Sequence, residues 1–153
     1  MGRLGRMKKM IDYKELCHDG FCRDEFGREE FERIKEIYRG ENWVAYLQDD
    51  EALKRAFEKS LYCLGAYDGD KLIGFIRCVG DGEHIVFVQD LIVAADYQRQ
   101  KIGTTLFKRV WDKYVHVRMF QVNTDIEDER DNQFYRSLGM KPICEGNMIS
   151  YFR

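Results

Sequence analysis

The sequence predicts a mixed α/β (α+β) fold, in which a single sheet carries helices on its faces. Two observations support this prediction. The apolar residues change period, from helical spacing in the first third of the chain to β-rich runs in the middle. The predicted segments also follow a definite order, which is helices, a β-meander, helix, strand, helix and a closing hairpin.

Length and charge limit the classes of function. The 153 residues fit one domain, residues 1–153, with residues 1–10 as a flexible tail. The formal net charge of −2 gives no bulk attraction to nucleic acid or to an anionic membrane. No apolar run reaches the roughly 18 residues of a membrane span, and the basic start of the chain lacks the apolar core of a secretory signal. We therefore expect neither a nucleic acid nor a membrane as partner.

The cysteines indicate a reducing compartment. Their number is odd, they are scattered and they form no C-x-x-C motif, so we expect a cytoplasmic protein without disulfides. Cys17, His18 and Cys22 lie close together, but their spacing is loose and no second ligand pair follows. The sequence therefore predicts no metal site.

The first third of the chain reads as helical. Phe31, Ile34 and Tyr38 recur at helical spacing between charged residues. A second helix is predicted over Asp50–Lys59, with Asp49 or Asp50 as its cap.

The middle of the chain reads as a β-meander. Strands are predicted at Leu61–Tyr67 and Lys71–Val79, because an Asp-Gly turn separates these two apolar runs. A second Asp-Gly turn leads into His84–Val93, whose β-branched residues fit a mostly buried strand.

Helices and strands alternate in the remaining third. A helix follows Gly103, a strand is predicted at Val117–Thr124, and a helix with an acidic first turn at Asp128–Leu138. Lys141–Glu145 and Met148–Phe152 are predicted to form a final hairpin across a Gly-Asn turn.

The turn between the buried strand and the next helix suits an anion. A helix N-terminus offers free backbone N–H groups and a positive dipole end, which together bind phosphate oxygens. Gly103 has no Cβ, so a ligand can approach the backbone, and Arg99 and Lys101 add positive charge. The nucleotide-binding glycine fingerprints are absent. Taken alone, the turn also fits an ordinary helix start with solvated Arg and Lys.

Two motifs connect this turn to a known family. The chain has Gln98-x-x-Lys101-x-Gly103 after a strand, and Asn132-x-Phe134-Tyr135-x-x-x-Gly139-Met140 at the end of a later helix. In this order the motifs resemble those of the GNAT superfamily of N-acetyltransferases. Lysine stands where the family has its first glycine, and methionine where it has phenylalanine. The resemblance covers roughly residues 61–153 and also includes the meander.

The resemblance implies a fold and an activity. The fold is a GNAT-like central mixed, mostly antiparallel sheet of six to seven strands, flanked by about four helices. The activity is transfer of an acetyl group from acetyl-CoA to a primary amine, most simply that of a small molecule. A homodimer is the family-level expectation, and no metal is needed.

The resemblance also implies the residues that bind the cosubstrate. The backbone of Leu91, Ile92 and Val93 would pair with the pantetheine arm, and one of their N–H groups would polarise the thioester carbonyl. Asn132 would reach the pantetheine or a nearby backbone group. The pyrophosphate would be held by Gln98, Arg99, Gln100, Lys101, Ile102, Gly103 and Thr104.

Two residues are candidates for proton transfer. Tyr135 matches the tyrosine of the family motif and would protonate the leaving thiolate as general acid; a buried structural tyrosine is the alternative. Asp90 lies in an apolar strand and is the first candidate for general base, directly or through water. A salt bridge with Arg77 is its alternative. Glu83 and His84 are further base candidates, or solvated turn residues.

Aromatic and acidic residues are the candidates for binding the amine acceptor. Trp43 and Tyr46 would line the acceptor pocket, or pack as apolar side chains. The acidic stretch Asp125–Asp131 would attract a cationic amine, or form a solvated helix start. Two other functions stay open from sequence: a non-catalytic acyl-CoA-binding or sensing module on the same fold, and a nucleotide-binding regulatory domain of another family.

Overall fold

The computed structural model describes residues 9–16 and 25–153, and only the backbone of residues 25 and 26. Contacts divide the chain into two compact units, Met1–Gln121 and Val122–Arg153, and each is described by itself. The loose group of Cys17, His18 and Cys22 lies outside the described residues, as does most of the predicted tail. No helix in the described ranges is long and apolar enough to cross a membrane.

The first unit contains most of the regular structure. Its helices are α1 (Glu25–Gly40), α2 (Asp50–Glu58) and α3 (Ile102–Lys113), and its strands are β1 (Ile11–Glu15), β2 (Tyr62–Asp68), β3 (Lys71–Gly80), β4 (Ile85–Val93) and β5 (Met119–Val122), whose last residue opens the second unit. Short 3-10 turns lie at Val44–Leu47 and Ala95–Tyr97. The second unit contains α4 (Glu129–Ser137) and a 3-10 turn at Ile143–Gly146.

The sheet follows the predicted class with a different strand count. Its order is β1-β2-β3-β4-β5, and β1 to β4 pair antiparallel in sequence. The mixed α/β class is therefore confirmed, with the four predicted α-helices. Five strands are described rather than six to seven. The two predicted meander turns are both present, between β2 and β3 and between β3 and β4.

The first strand corrects the helical reading of the N-terminal third. β1 pairs with β2 from Ile11 opposite Asp68 to Glu15 opposite Leu64. Its sequence, IDYKE, alternates apolar and charged residues over only five positions. Such a short alternation is a weak signal, and the strand that pairs with it lies about fifty residues further along the chain.

One extra residue interrupts the pairing of β3 with β4. Arg77 lies opposite Asp90, but the next pair is Cys78 with Val88, so Gln89 has no counterpart on β3. This arrangement is a β-bulge, which bends the strand and redirects the residues beyond it. Leu91 to Val93 follow directly.

Two sets of buried side chains cover the sheet. α3 packs against β2, β3 and β4 through Ile102, Leu106, Phe107 and Val110. The helical periodicity predicted for α1 is confirmed at Phe31, Ile34, Ile37 and Tyr38, which are all buried. A separate cluster joins α1 and α2 to the strands: Leu16, Phe31, Ile34, Ile37, Tyr38, Leu53, Phe57, Cys63, Tyr67, Leu72, Phe75 and Ile92.

The second unit corrects the predicted final hairpin. Neither Lys141–Glu145 nor Met148–Phe152 is a strand; residues 143–146 form a 3-10 turn and the chain after it has no regular structure. Asn147 has the left-handed backbone of a tight turn, with φ of 58°, so the predicted Gly-Asn turn is present. The two segments beside it do not pair, because a turn alone does not supply a partner strand. Gly139 ends α4 with φ of 87°, as predicted.

Candidate functional site

The N-terminus of α3 has no side-chain cap. Asp49 caps α2 by accepting from the Ala52 N–H, and Asp128 caps α4 by accepting from the Asp131 N–H, each at 3.0 Å. Lys101 stands at the cap position of α3 and makes no such bond, and the first turn of α3 has no acidic residue. Neither the cap residue nor an acidic side chain in the first turn therefore compensates the positive end of this helix.

Three backbone donors lie at this end. The Thr105 N–H donates to the Lys101 carbonyl at 3.0 Å and makes the first helical bond. The N–H groups of Ile102, Gly103 and Thr104 precede it, so they have no acceptor within the helix. Such a group of donors suits phosphate oxygens.

Two basic residues before the helix have left-handed backbones. Arg99 and Lys101 both have φ of 62°, and both side chains are exposed. Lysine at the family's glycine position therefore keeps the backbone conformation that glycine would favour, at a cost of about 1–2 kcal/mol. In return it places an ammonium group beside the helix N-terminus.

The Gln98 side chain turns inward. Its Nε2 donates to the Val93 carbonyl at 2.9 Å and to Glu41 Oε1 at 2.6 Å. The preceding residue is also tied down, since the Tyr97 hydroxyl donates to Asp68 Oδ2 at 2.7 Å. Gln98 therefore holds the turn to the strand and to the end of α1. Gln100 is exposed, and its Nε2 lies 3.5 Å from the Asp96 carbonyl.

Gly103 has space around its Cα. A Cβ built there would meet only Val93 Cγ2, at 3.8 Å, which is an ordinary contact. Packing within the chain therefore does not require glycine at this position. The backbone there is open to a ligand.

Leu91 to Val93 lie beyond the part of β4 that β5 reaches, and among them the Val93 carbonyl accepts from Gln98 Nε2. β5 begins where the Met119 N–H donates to the His84 carbonyl at 2.9 Å. β4 starts at the next residue, so β5 can pair along it only by running parallel. With four residues, β5 ends before the bulge at Gln89. An extended ligand can therefore pair with this segment, as the resemblance implies.

Asp90 forms the ion pair that the sequence left as an alternative. Its Oδ2 accepts from Arg77 Nε at 2.6 Å and from the Tyr38 hydroxyl at 2.8 Å. Asp90 is 1% exposed and Arg77 is 5% exposed. Burial and the Asp90 charge raise the pKa of Tyr38 far above its usual range, so its hydroxyl stays protonated.

The other two base candidates lie far from this segment. Glu83 and His84 are exposed at the start of β4, and their N–H groups donate to Asp81 Oδ1 at 2.9 and 2.8 Å. At about 3.3 Å per residue, His84 is roughly 25–30 Å from Val93 along the strand. They are turn residues in this structure.

The aromatic pair of the predicted acceptor pocket lies on the core cluster. Trp43 and Tyr46 are partly buried and pack against it. Tyr46 stacks on Tyr38 with ring centroids 4.9 Å apart, and its hydroxyl accepts from Gln89 Nε2 at 3.1 Å. The apolar-packing alternative is therefore present, and each ring keeps some exposed surface.

In the second unit, Asn132 holds the loop before α4. Its Nδ2 donates to the carbonyls of Asp125 at 2.8 Å and Asp128 at 2.7 Å. This is the nearby-backbone contact that the resemblance implied as one of two options. Two of the acidic side chains form turns and caps, as the helix-start interpretation of 125–131 expects.

Tyr135 is half-buried in the second unit. Burial raises its pKa well above the usual range, and the nearby carboxylates of Asp131 and Asp128 raise it further. Its ring meets Phe134 edge-on at 5.2 Å. The phenol is therefore protonated at every physiological pH.

Some residues of the site carried no sequence signal. Glu41 meets Gln98 across 57 positions and Tyr38 meets Asp90 across 52. No short motif reports contacts at such separations. Within residues 9–16 and 25–153, no three His, Cys, Asp or Glu residues are arranged to hold a metal ion.

Comparison with known proteins identifies the most similar families and folds. The model of the acetyltransferase (GNAT) family matches residues 25–140. A GNAT-family acetyltransferase from Streptococcus pneumoniae TIGR4 is 31% identical, with a TM-score of 0.72, and the match covers 94% of this chain and 96% of that one. No curated protein matches the chain.

Two enzymes from uncultured soil metagenomic samples share the fold at lower identity. An aminoglycoside acetyltransferase solved with sisomicin is 18% identical, with a TM-score of 0.65 and coverage of 94% of this chain and 95% of that one. A second aminoglycoside acetyltransferase is also 18% identical, with a TM-score of 0.68 and coverage of 94% and 97%. At this identity the likeness concerns the fold alone.

Proposed function

The chain belongs to the GNAT family of acetyltransferases, and on that premise we propose that it transfers an acetyl group from acetyl-CoA to a primary amine of a small molecule. The observation that carries this proposal is the uncapped start of α3. Its three open N–H groups, at Ile102, Gly103 and Thr104, suit the pyrophosphate of CoA. The exposed Arg99 and Lys101 add charge that favours the same ligand.

The segment before this turn is proposed to bind the pantetheine arm. Pantetheine carries two amides, which can pair with the backbone of Leu91 to Val93 as an added strand does. One N–H of this segment would then donate to the thioester carbonyl. In the transition state that oxygen gains negative charge, so the donor stabilises it more than it stabilises the ground state.

The proposed reaction is direct attack. The neutral amine nitrogen adds to the thioester carbon, so a C–N bond forms and the C–S bond breaks. The sulfur leaves as a thiolate and takes the proton of the Tyr135 hydroxyl, while the proton from the amine passes to water. Water then returns a proton to the tyrosinate, so the net products are the amide and the CoA thiol. Because the pKa of Tyr135 is raised, the phenol is protonated when the thiolate forms, although it is a weaker acid than a free tyrosine.

We propose that water, rather than Asp90, accepts the amine proton directly. The Asp90 carboxylate is 1% exposed, and its Oδ2 already accepts from Arg77 and Tyr38.

The acceptor is proposed to be a small molecule that contacts Trp43 and Tyr46. These rings keep exposed surface beside the bulge of β4. Aromatic faces bind apolar groups and attract cations, including the ammonium groups of a polyamine acceptor. The soil enzymes with this fold are aminoglycoside acetyltransferases, so aminoglycosides belong in the panel of amines to be tested.

The experiment is acetyl-CoA-dependent release of thiol against a panel of polyamines, amino acids, aminoglycosides and peptides, with products identified by mass. We expect an acetylated amine in at least one reaction. Binding of acetyl-CoA without turnover on any amine would favour the non-catalytic module. Displacement of acetyl-CoA by adenine nucleotides that lack pantetheine, at equal concentration, would favour a nucleotide-binding domain.

A further inference from the structure

A buried polar cluster lies directly before the proposed thioester-binding segment. Asp90 Oδ2 accepts from Arg77 Nε at 2.6 Å and from the Tyr38 hydroxyl at 2.8 Å. Arg77 reaches further, to Ser60 Oγ at 3.3 Å. Asp90 Oδ1 is buried and accepts from no donor in the described part of the chain.

Stability alone does not account for this cluster. Removing two charges from water is costly, and a buried pair often stabilises no more than apolar residues of similar size. An acceptor left without a donor adds a further penalty. Three apolar side chains at positions 38, 77 and 90 would suit the surrounding core, which is aromatic and aliphatic.

The cluster is placed at the bulge of β4. Arg77 and Asp90 form the first cross-strand pair after the extra residue, Gln89. A bulge bends its strand and redirects the residues beyond it, so their direction depends on the pair of residues that resumes regular pairing. A short ion pair between the two residues that resume pairing selects one register. The residues that follow, Leu91 to Val93, take their backbone direction from it.

A second set of contacts starts from the same bulge. Gln89 Nε2 donates to the Tyr46 hydroxyl at 3.1 Å, and Tyr46 stacks on Tyr38. Tyr38 returns to Asp90 through its hydroxyl. Contacts therefore link four side chains in series, namely Gln89, Tyr46, Tyr38 and Asp90, and the first and last are neighbours in the chain. They connect α1 and the 3-10 turn at Val44–Leu47 to the bulge.

We infer that Asp90 is a positioning residue. Together with Arg77 and Tyr38 it fixes the bulge of β4 and connects it to Tyr46, an aromatic residue proposed to contact the acceptor. This inference rests on the proposed function, because it assigns to the cluster the alignment of thioester and acceptor. The ion pair sets the direction of the N–H groups after the bulge. The Tyr38–Tyr46 stack sets the distance between the Tyr46 ring and these N–H groups. Misalignment of reacting groups by about 1 Å costs on the order of a hundredfold in rate.

The main test is the triple variant Tyr38→Phe/Arg77→Met/Asp90→Leu. It removes the ion pair and the Tyr38 hydroxyl, so no charge is left buried without a partner, and the fold is expected to be retained. We expect kcat to fall roughly tenfold to a hundredfold, while KM for acetyl-CoA changes less than about threefold. The single variant Tyr38→Phe keeps the ring stack and should lose roughly tenfold in kcat. Asp112→Asn, on the exposed face of α3, is the matched control.

A second readout does not depend on turnover. Amide hydrogen exchange in the triple variant should be roughly tenfold faster at residues 89–93 and unchanged at residues 86–88. Unchanged exchange at residues 89–93 overturns the inference, whether or not an amine substrate is found. Wild-type protein with no turnover on any amine contradicts the proposed function instead.

A third variant separates positioning from base catalysis. If Asp90 positions the strand, Asp90→Asn lowers kcat. The decrease of kcat/KM at acidic pH, which is the acidic limb of the pH profile, then stays in place. Loss of that limb shows that Asp90 is the base and overturns the inference. Undiminished kcat in the folded triple variant overturns it as well.

Discussion

The Gln98 Nε2 donates to the Val93 carbonyl at 2.9 Å, so the first residue of the turn proposed to bind phosphate is bound to the last residue of β4. The same nitrogen reaches Glu41 at 2.6 Å, just past the end of α1. A turn held in this way binds its ligand without first having to be ordered, and pre-organisation of this kind lowers the entropic cost of binding.

Replacement of Gln98 by alanine should weaken acetyl-CoA binding. Both contacts are lost, so the turn must be ordered when the ligand binds, and we expect a rise in Kd of roughly tenfold. Calorimetric titration measures it. Asp112→Ala is the control, since that side chain is exposed on α3 and lies outside the turn proposed to bind phosphate. Equal Kd values for the two variants would contradict the role given to Gln98.

The left-handed backbone of Lys101 predicts opposite effects of glycine and alanine. Both substitutions remove the ammonium group, but only glycine accepts φ of 62° without steric cost. After allowance for the greater chain entropy of unfolded glycine, Lys101→Gly should be more stable than Lys101→Ala by about 0.5–1 kcal/mol. Urea unfolding measures the difference. An alanine variant as stable as the glycine variant would show that this backbone is not strained.

Gly103→Ala should separate stability from binding. The new methyl group has room, with Val93 Cγ2 3.8 Å away, and alanine favours a helix over glycine by up to about 1 kcal/mol. We therefore expect an unchanged or higher Tm without ligand. A methyl group beside the N–H groups proposed to bind phosphate leaves less room for the ligand, so the rise in Tm that acetyl-CoA causes should be largely lost. A full ligand-induced rise in the variant would place the phosphate elsewhere.

The turn between β3 and β4 predicts a pH-dependent contribution to stability. Three backbone N–H groups, those of Ile85, Glu83 and His84, lower the pKa of Asp81 to about 2. The folded value lies below the unfolded value of about 3.9, so the stabilisation is present above about pH 4 and is lost as pH falls toward 2. The Tm of Asp81→Ala should be lower than wild type at pH 7, and the gap should narrow below pH 4. A gap that stays constant to pH 2 contradicts this cause.

Tyr135→Phe should affect turnover rather than binding. Loss of a general acid typically costs 10²–10⁴-fold, so we expect kcat to fall by about 10²-fold or more with Kd for acetyl-CoA unchanged. Because the pKa of Tyr135 is raised, wild-type kcat should show no alkaline limb from this group below about pH 10. Tyr151→Phe is the control, since Tyr151 is exposed in the same unit. Equal loss in both variants would exclude a specific role for Tyr135.

Local patterns predicted the elements nearest to the site well. The Asp-Gly turns, the buried strand and the helix after Gln98–Thr104 depend on neighbouring residues, and the structure has all of them within a few positions. The cap of α4 at Asp128 and its end at Gly139 are of the same kind. Such signals are readable because the residues that interact are close in sequence.

Long-range pairing explains what the sequence did not predict. β1 is a strand because β2 pairs with it, and its own five residues carry too little signal. The final hairpin was predicted across the Gly-Asn turn, but no strand forms at residues 141–153. The Asp90 ion pair could be named only as an alternative, since burial and the Tyr38 contact decide it.

The central claim is tested most directly by following the acetyl group. Wild-type protein is incubated with isotopically labelled acetyl-CoA and the amine panel, and each amine is analysed by mass spectrometry beside a reaction with Tyr135→Phe. The account predicts labelled acetyl on the nitrogen of at least one primary amine, with free CoA formed in equal amount and both strongly reduced in the variant. Intact acetyl-CoA and unmodified amines, with acetyl-CoA bound to a folded protein, would contradict it.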